Sequence, residues 1–550
     1  MNKNTFKNPI LSGFYPDPSI CRVGEDYYLI NSSFTFFPGI PIFHSKDLIK
    51  WEQIGHALDR VSQLNLDGAF YSGGIFAPTI RYHEGMFYII TTNVDNGGNF
   101  IITAENPSGP WSDPYWIENS PGIDPSLFFN EDGKVYYTGT REVKEPKYIG
   151  DQEIWIQELD LKTMKLINES HTLWSGALKK AYFPEAPHLY KVDDFYYLMI
   201  AEGGTEHYHS VTIARSKNIL GPYEGNPGNP ILTHRHLGKK YPISNPGHAD
   251  LVQTQNGEWY AVALASRPYG GYYKNLTRET FLMPVEWEDG WPIISPGTGK
   301  IEFEYQKPNL PDFQVGKSNV RDDFNEDSLD YKWNGIRTPR ENFWSLVDRK
   351  GYLRLKVRPQ TMIDILKLPP IDEKERYNKK ELVVDNPSFL GRRLQNMNFY
   401  CCTKMEFIPL NEYEAAGIVL VQNNNHQFRF EHSIENTQRV IRLVKYTVDV
   451  TSNFLERKFS YKNIESKLAS VTFDNDVIYL SVIARGQDYS FYYGESLENM
   501  KQLIENVDGR ILSPDVAGGC SGTYIGVFAT SNGQKSDNYV DFDWFEYEGR

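Results

Sequence analysis

Five segments in the first 300 residues share one pattern, and any fold of this chain has to accommodate it. Each opens on a short anchor: "PDPSI" at Asp17, "FAPTI" at Ala77, "IDPSL" at Asp124, "EAPHL" at Ala186 and "HADLV" at Ala249. A turn and an aromatic strand follow each anchor: "GEDYYLI", "EGMFYII", "EDGKVYYTG", "DDFYYLMI" and "NGEWYAVAL". The Gly, Asn and Asp residues are hairpin-turn chemistry, and the Tyr, Val and Ile runs beside them are strand formers. A further strand comes next in every unit: "IPIFHS", "NFIITA", "IWIQEL", "VTIARS" and "RETFLMPV". The anchors lie 60, 47, 62 and 63 residues apart. Strand-only repeats of this length predict propeller blades, and five repeats predict five blades. A β-helix is the competing arrangement, but its rungs are much shorter. In a propeller the first strand of each blade lines the central channel, so the five anchors converge on one axis.

The pattern stops near residue 308. "QKPNLPDFQVGKSN" is rich in Pro, Gly and Asn and reads as a linker, with residues 309–319 as its span. From residue 320 to 550 come short alternating segments, among them "FYCCTKMEFIP", "AAGIVLVQNNNHQFRFEH" and "VIYLSVIARGQDYSFYYG". These predict an antiparallel β-sandwich. The expected class is therefore all-β: a five-bladed β-propeller over residues 1–308, then a jelly-roll-like β-sandwich closing one side of its pit.

Composition narrows the function. The 36 Tyr, 31 Phe and 11 Trp favour strands and suit a sugar-binding cleft. A net charge of −14 argues against nucleic acid as a partner. No run of about 20 apolar residues is present to span a bilayer as a helix. "MNKNTFKNPILSG" lacks the apolar centre of a signal peptide, which gives a cytoplasmic expectation. Cys21, Cys401, Cys402 and Cys520 have no metal-ligand spacing and are expected to be reduced core residues.

Aligned on their anchors, the repeats carry polar groups to the axis. Asp17 and Asp124 are anchors, and Glu185 and His248 stand one residue before theirs. Three carboxylates around a pit suit glycoside hydrolysis. One must protonate the leaving oxygen, and another must activate water or attack as a nucleophile from the opposite face. The third can raise the acid's pKa by like-charge repulsion. The residues alone leave inversion and retention both open. Taken singly, Asp17 in Asp-Pro is ordinary turn chemistry, and the in-phase repetition is what singles it out.

At these residues the sequence resembles glycoside hydrolase family 43, above all its two-domain β-xylosidases. The matching text is "YPDPSI", "SFTFFPGIPIFHSKDLIKW", "SGGIFAPTIRY", "GIDPSLFFNEDGKVYYTG", "EAPHLYK", "AEGGTEHYHSVTIARS", "NPGHADLV" and "RETFLMPVEW". The resemblance implies an exo-acting, inverting hydrolase that releases a terminal pentose. It implies Asp17 as general base, Glu185 as general acid and Asp124 as the residue that tunes and orients the acid. It implies sugar contacts from Phe34, Phe76, Ala77, Thr205 and Arg278. It requires no cofactor for the chemistry but implies a water-rich structural calcium near His248. Xylo-oligosaccharides are the expected substrate, arabinosylated oligosaccharides the alternative, and a homo-oligomer the expected assembly.

Three departures bear on specificity. Phe76 stands where many relatives have Trp, "EAPH" replaces "EGPH", and "GGCSGTY" puts Cys520 where an aromatic is common, with Tyr524 nearby as a substitute. Two other readings compete. A non-catalytic sugar-binding propeller would have lost a carboxylate, and all three are present. A retaining fructosidase-type propeller fits "EAPHLY" and "GHADLV" poorly.

Overall fold

Tyr136 and Tyr137 are neighbours in one strand, and they pack into two different cores. That explains the aromatic pairs of the repeat. A blade is buried on both faces, and successive side chains of a strand point to opposite faces. The computed structural model describes residues 4–316, 319–363, 386–453 and 458–550. Residues 1–3 of the expected propeller, 317–318 of the expected linker, and 364–385 and 454–457 of the expected sandwich lie outside the described residues.

Five four-stranded antiparallel sheets form the first part. Their innermost strands are Ser19–Val23, Thr79–His83, Ser126–Phe129, Glu185–Val192 and Ser244–Gln253. The third strand of each is the segment expected to follow the aromatic one, as in Gly98–Ala104 of blade 2 and Ser210–Ser216 of blade 4. Five apolar clusters fill the five seams. Phe87 and Phe100 sit between blades 1 and 2, Tyr137 and Trp155 between 2 and 3, and Leu189 and Leu198 between 3 and 4. Met199 and Phe281 join blades 4 and 5, and Tyr27 and Tyr260 join 5 to 1. Each such side chain contributes about 1.5–3 kcal/mol on burial. The ring is closed by the amino-terminal segment. Thr5–Lys7 pairs with Glu304–Gln306, and Asn8 exchanges hydrogen bonds with the backbone of Leu282.

The second part is a sandwich of an eight-stranded and a six-stranded sheet. Its core holds Phe399, Met405, Leu420, Phe430 and Phe491. Cys401 and Cys402 are both buried. Helix among the described residues is limited to the turn Pro514–Ala517 and two short 3₁₀ segments. A further apolar cluster joins the two parts: Phe14, Phe34, Phe36 and Tyr71 of the propeller meet Phe389, Val419, Tyr524 and Phe528 of the sandwich. Tyr524 therefore does not stand in for a pocket aromatic. It is fully buried and stacked on Phe36 at 3.8 Å, inside this seam.

Candidate active site

The five innermost strands meet the axis in layers. Ser19, Thr79, Ser126, His188 and Asp250 are equivalent, because each pairs at a matching position with the second strand of its blade, to Ile30, Ile90, Thr138, Met199 and Val262. Counting back two residues puts Asp17, Ala77, Asp124, Ala186 and His248 in one ring above them. This corrects the sequence alignment in blade 5, where His248 and not Ala249 is the anchor. A strand of different texture, "HADLV" without proline, hid the one-residue shift. Four of these five residues share a left-handed backbone: Asp17 (φ 53°), Asp124 (φ 53°), Ala186 (φ 54°) and His248 (φ 49°). Such φ values are uncommon outside glycine and cost about 1–3 kcal/mol each when imposed by surroundings. They turn the chain sharply as it enters the channel, so side chains at and just before the anchor face the pit.

Below the ring the axis is closed. Asp250, wholly buried, accepts hydrogen bonds from Ser19 (2.8 Å), Arg81 (3.0 Å) and Tyr190 (2.7 Å), which come from blades 1, 2 and 4. Above it lies a cavity of about 330 Å³ lined by Asp17, Asp124, Glu185, Phe34, Phe76, Ala77, Thr205, His248 and Arg278. Every residue the sequence reading singled out for the site is in its wall. Cys520 is there as well and is only partly buried, so it is a pocket residue and not the core thiol expected.

The carboxylates differ in their surroundings. Asp17 accepts a hydrogen bond from Ser32 Oγ (2.6 Å) and one from Arg278 Nη1 (3.1 Å), with His248 Nδ1 3.6 Å away. Burial pushes its pKa up, but Arg278, His248 and Ser32 together outweigh burial and hold it below the usual range. Asp17 is ionised. Glu185 is pushed up to about 8, first by burial and then by the charge of Asp17. Asp124 is also raised, by burial and then by the charges of Glu185 and Asp17. Together Asp124 and Glu185 retain a proton at neutral pH. Asp124 also accepts the backbone N–H of Ala186, a bond that favours its ionised form. Burial and the charges of Glu185 and Asp17 outweigh that bond, so Asp124 as well as Glu185 is held above the usual carboxylate range.

Glu185 is fixed from the backbone. Thr140 Oγ1 donates to Pro184 O (2.7 Å), and Ser126 Oγ donates to Pro187 O (2.5 Å). Two bonds from blade 3 thus pin the chain on either side of it. Arg278 does not pair with its neighbour Glu279, which is bound by Arg267 instead (2.7 Å). Its guanidinium reaches Asp17, Thr205 Oγ1 (3.4 Å) and the carbonyl of Cys520 (3.0 Å), and it lies 5.4 Å from the ring of Phe34. Phe34 contacts Phe76 at 5.2 Å, so the two rings form one apolar wall.

Sequence reasoning missed His209, Phe183 and Gln152, which also line the cavity. His209 Nδ1 lies 3.0 Å from the carbonyl of Asn245, so Nδ1 carries the proton. Burial lowers its pKa to about 3, and the ring stays neutral. Nothing in "EHYHSV" separates His209 from His207. Only its place in the cavity wall, just before the strand Ser210–Ser216, does.

His248 does not fit a protein-built calcium site. Among the described residues no group of three or more His, Cys, Asp or Glu is arranged around a metal. Calcium takes six to eight oxygen ligands, whereas here one imidazole faces Asp17, whose oxygens are engaged by Ser32 and Arg278.

Residues 6–292 match the family model "Glycosyl hydrolases family 43", and residues 321–548 match "Beta xylosidase C-terminal Concanavalin A-like domain". A Butyrivibrio fibrisolvens protein named "Xylosidase/arabinosidase" is 46% identical, over 98% of this chain and 99% of its own. A Bacteroides ovatus protein named "Non-reducing end alpha-L-arabinofuranosidase BoGH43B" is 39% identical, over 99% of this chain and 95% of its own. Among solved structures, the xylan beta-1,4-xylosidase of Bacillus halodurans C-125 superposes with a TM-score of 0.88 at 32% identity, covering 99% of this chain and 100% of that one. Both halves of the chain are matched, and full-length relatives align almost end to end: the chain belongs to glycosyl hydrolase family 43 and is a glycoside hydrolase.

Proposed function

We propose that the protein is an exo-acting, inverting pentosidase that removes terminal xylose from β-1,4-linked xylo-oligosaccharides and also accepts terminal α-L-arabinofuranose. The observation that carries this reading is the contrast within one dead-ended pit: Asp17 is held ionised while Glu185 keeps a proton. Asp17 removes a proton from water as that water attacks the anomeric carbon. Glu185 protonates the departing oxygen. Asp124 keeps Glu185 protonated and orients it, and Arg278 offers its donor fork to the sugar hydroxyls. The closed axis and the sandwich loop at Cys520 favour exo action. The names of the B. fibrisolvens and B. ovatus relatives support an arabinofuranose-preferring enzyme as the second reading. The wall of Phe34 and Phe76, narrower than one with Trp at position 76, is the structural reason to keep it.

The proposal extends to short oligosaccharides in the cytoplasm, to self-association, and to a cation held mainly by water beside His248. Dialysis against a chelator lowers activity or melting temperature if that cation is resident; full activity in metal-free protein removes it. The test of the main reading is hydrolysis of paired aryl β-xyloside and aryl α-L-arabinofuranoside, with NMR of the first-formed sugar. Inversion predicts α-xylose. β-Xylose as first product would refute the assignment of Asp17 as base.

A further inference from the structure

Outside the pit, one lysine joins three of the chain segments around Arg278. Lys274 is only 4% exposed, and its ammonium lies 2.9 Å from Glu206 Oε2 and 2.7 Å from Asp515 Oδ1. Its backbone N–H donates to Ser513 Oγ (2.9 Å) and to Asp515 Oδ2 (2.8 Å). Glu206 follows Thr205, which Arg278 touches, and Asp515 sits in the short turn Pro514–Ala517 that leads to Cys520, whose carbonyl Arg278 also touches. Arg278 itself comes four residues after Lys274, and the carbonyl of Lys274 accepts the N–H of Thr277 (2.8 Å). One buried ammonium thus fixes blade 4, blade 5 and the sandwich loop to one another. All three meet again at the guanidinium. Asn245 Nδ2 adds a bond to the same oxygen of Glu206 (3.2 Å).

We infer that Lys274 is a positioning residue for sugar recognition: it sets the place of Arg278 and of the Cys520 loop, and through them the fit of the terminal sugar. This rests on the reading of Arg278 as a sugar contact. Removing the ammonium leaves Asp515 with Ser513 and the backbone N–H of residue 274, and Glu206, whose side chain is 65% exposed, with Asn245 and solvent. The tie between blade 4, blade 5 and the sandwich loop is then lost, and the contacts of Arg278 with Thr205 and the Cys520 carbonyl loosen while its bond to Asp17 of blade 1 is kept. Ground-state binding of the sugar suffers first, because neither the Arg278–Asp17 bond nor the backbone bonds that fix Glu185 pass through Lys274.

The test is Lys274→Met in the full-length enzyme, with Asp515→Asn as a milder variant that keeps side-chain shape. The expected result is a KM for aryl xyloside raised about tenfold with kcat changed less than about threefold, the signature of lost uniform binding. Asp515→Asn shifts KM the same way by less. Hydrogen–deuterium exchange quickens in residues 204–209 and 513–523 and stays as in the parent in blade 2. An unchanged KM, a loss confined to kcat, or exchange that stays slow in both segments would overturn the inference. If the parent enzyme cleaves neither aryl glycoside, the proposed function falls, while the exchange measurement still decides the role of Lys274.

Discussion

Glu185 and Asp17 are both carboxylates in one pit, and the surroundings ask opposite things of them. Asp17 has three polar partners and stays charged, whereas Glu185 is buried beside negative charge and keeps its proton up to about pH 8. The kcat/KM profile should therefore fall on its alkaline side near pH 8, as the acid loses its proton. In Glu185→Ala that limb disappears for activated aryl glycosides, whose leaving groups need little protonation, while natural oligosaccharides lose about 10²–10⁴ in rate. Equal losses on both substrates would show that Glu185 is not the acid. Asp17→Ala should abolish turnover of both, and retained activity would remove it as base. The same shift acts on stability. Glu185 binds its proton more tightly folded (about 8) than unfolded (about 4.5), so stability is full below 4.5 and declines as pH rises to about 8. Glu185→Gln should abolish that decline, read as a melting temperature above the parent's at pH 8 and similar at pH 4. The residue types were legible in the sequence because each stands at or beside an anchor. The supports were not: Thr140 and Asn245 are ordinary strand residues whose partners lie in another blade, and Ser32 is a loop residue after the second strand of Asp17's own blade.

The innermost strands show why register matters more than composition. Four of the five enter the channel through a left-handed residue, and in blade 5 the approach is further crowded. A Cβ on Gly247 would come within 2.2 Å of the His209 ring. Gly247→Ala should cost about 1–3 kcal/mol by overpacking, seen as a lower melting temperature. It should also lower activity, because His209 is pushed from its place in the pit wall. A variant as stable and active as the parent would show that the ring has room to move. The blades themselves were readable from alternating aromatics and turn residues, since two-sided burial writes apolar residues at both phases of a strand. The blade 5 anchor was misread by one position because "HADLV" lacks the proline that marks the other four. A one-residue slip moves a side chain to the opposite face, and only the pairing to Val262 settles it.

At the scale of the whole molecule, the two parts behave as one. Phe14, Phe34 and Phe36 lie against Phe389, Tyr524 and Phe528, and Arg393 of the sandwich donates to the carbonyl of Phe14 (2.8 Å). Calorimetry should record a single unfolding transition for propeller and sandwich; two separate transitions would show that the seam is weak. The existence of two β parts was visible in the change of pattern near residue 308, but their contact was not, because its residues are ordinary core types scattered along the chain. The closure of the axis by Asp250 and Arg81 has a kinetic consequence. The pit has one door. On the exo action proposed above, the sugar cut from the chain end lies deepest and the shortened chain stands between it and solvent, so the chain leaves first. The enzyme therefore lets go of its substrate after every cut, and free pentose, returning through the same door, competes with the next chain end.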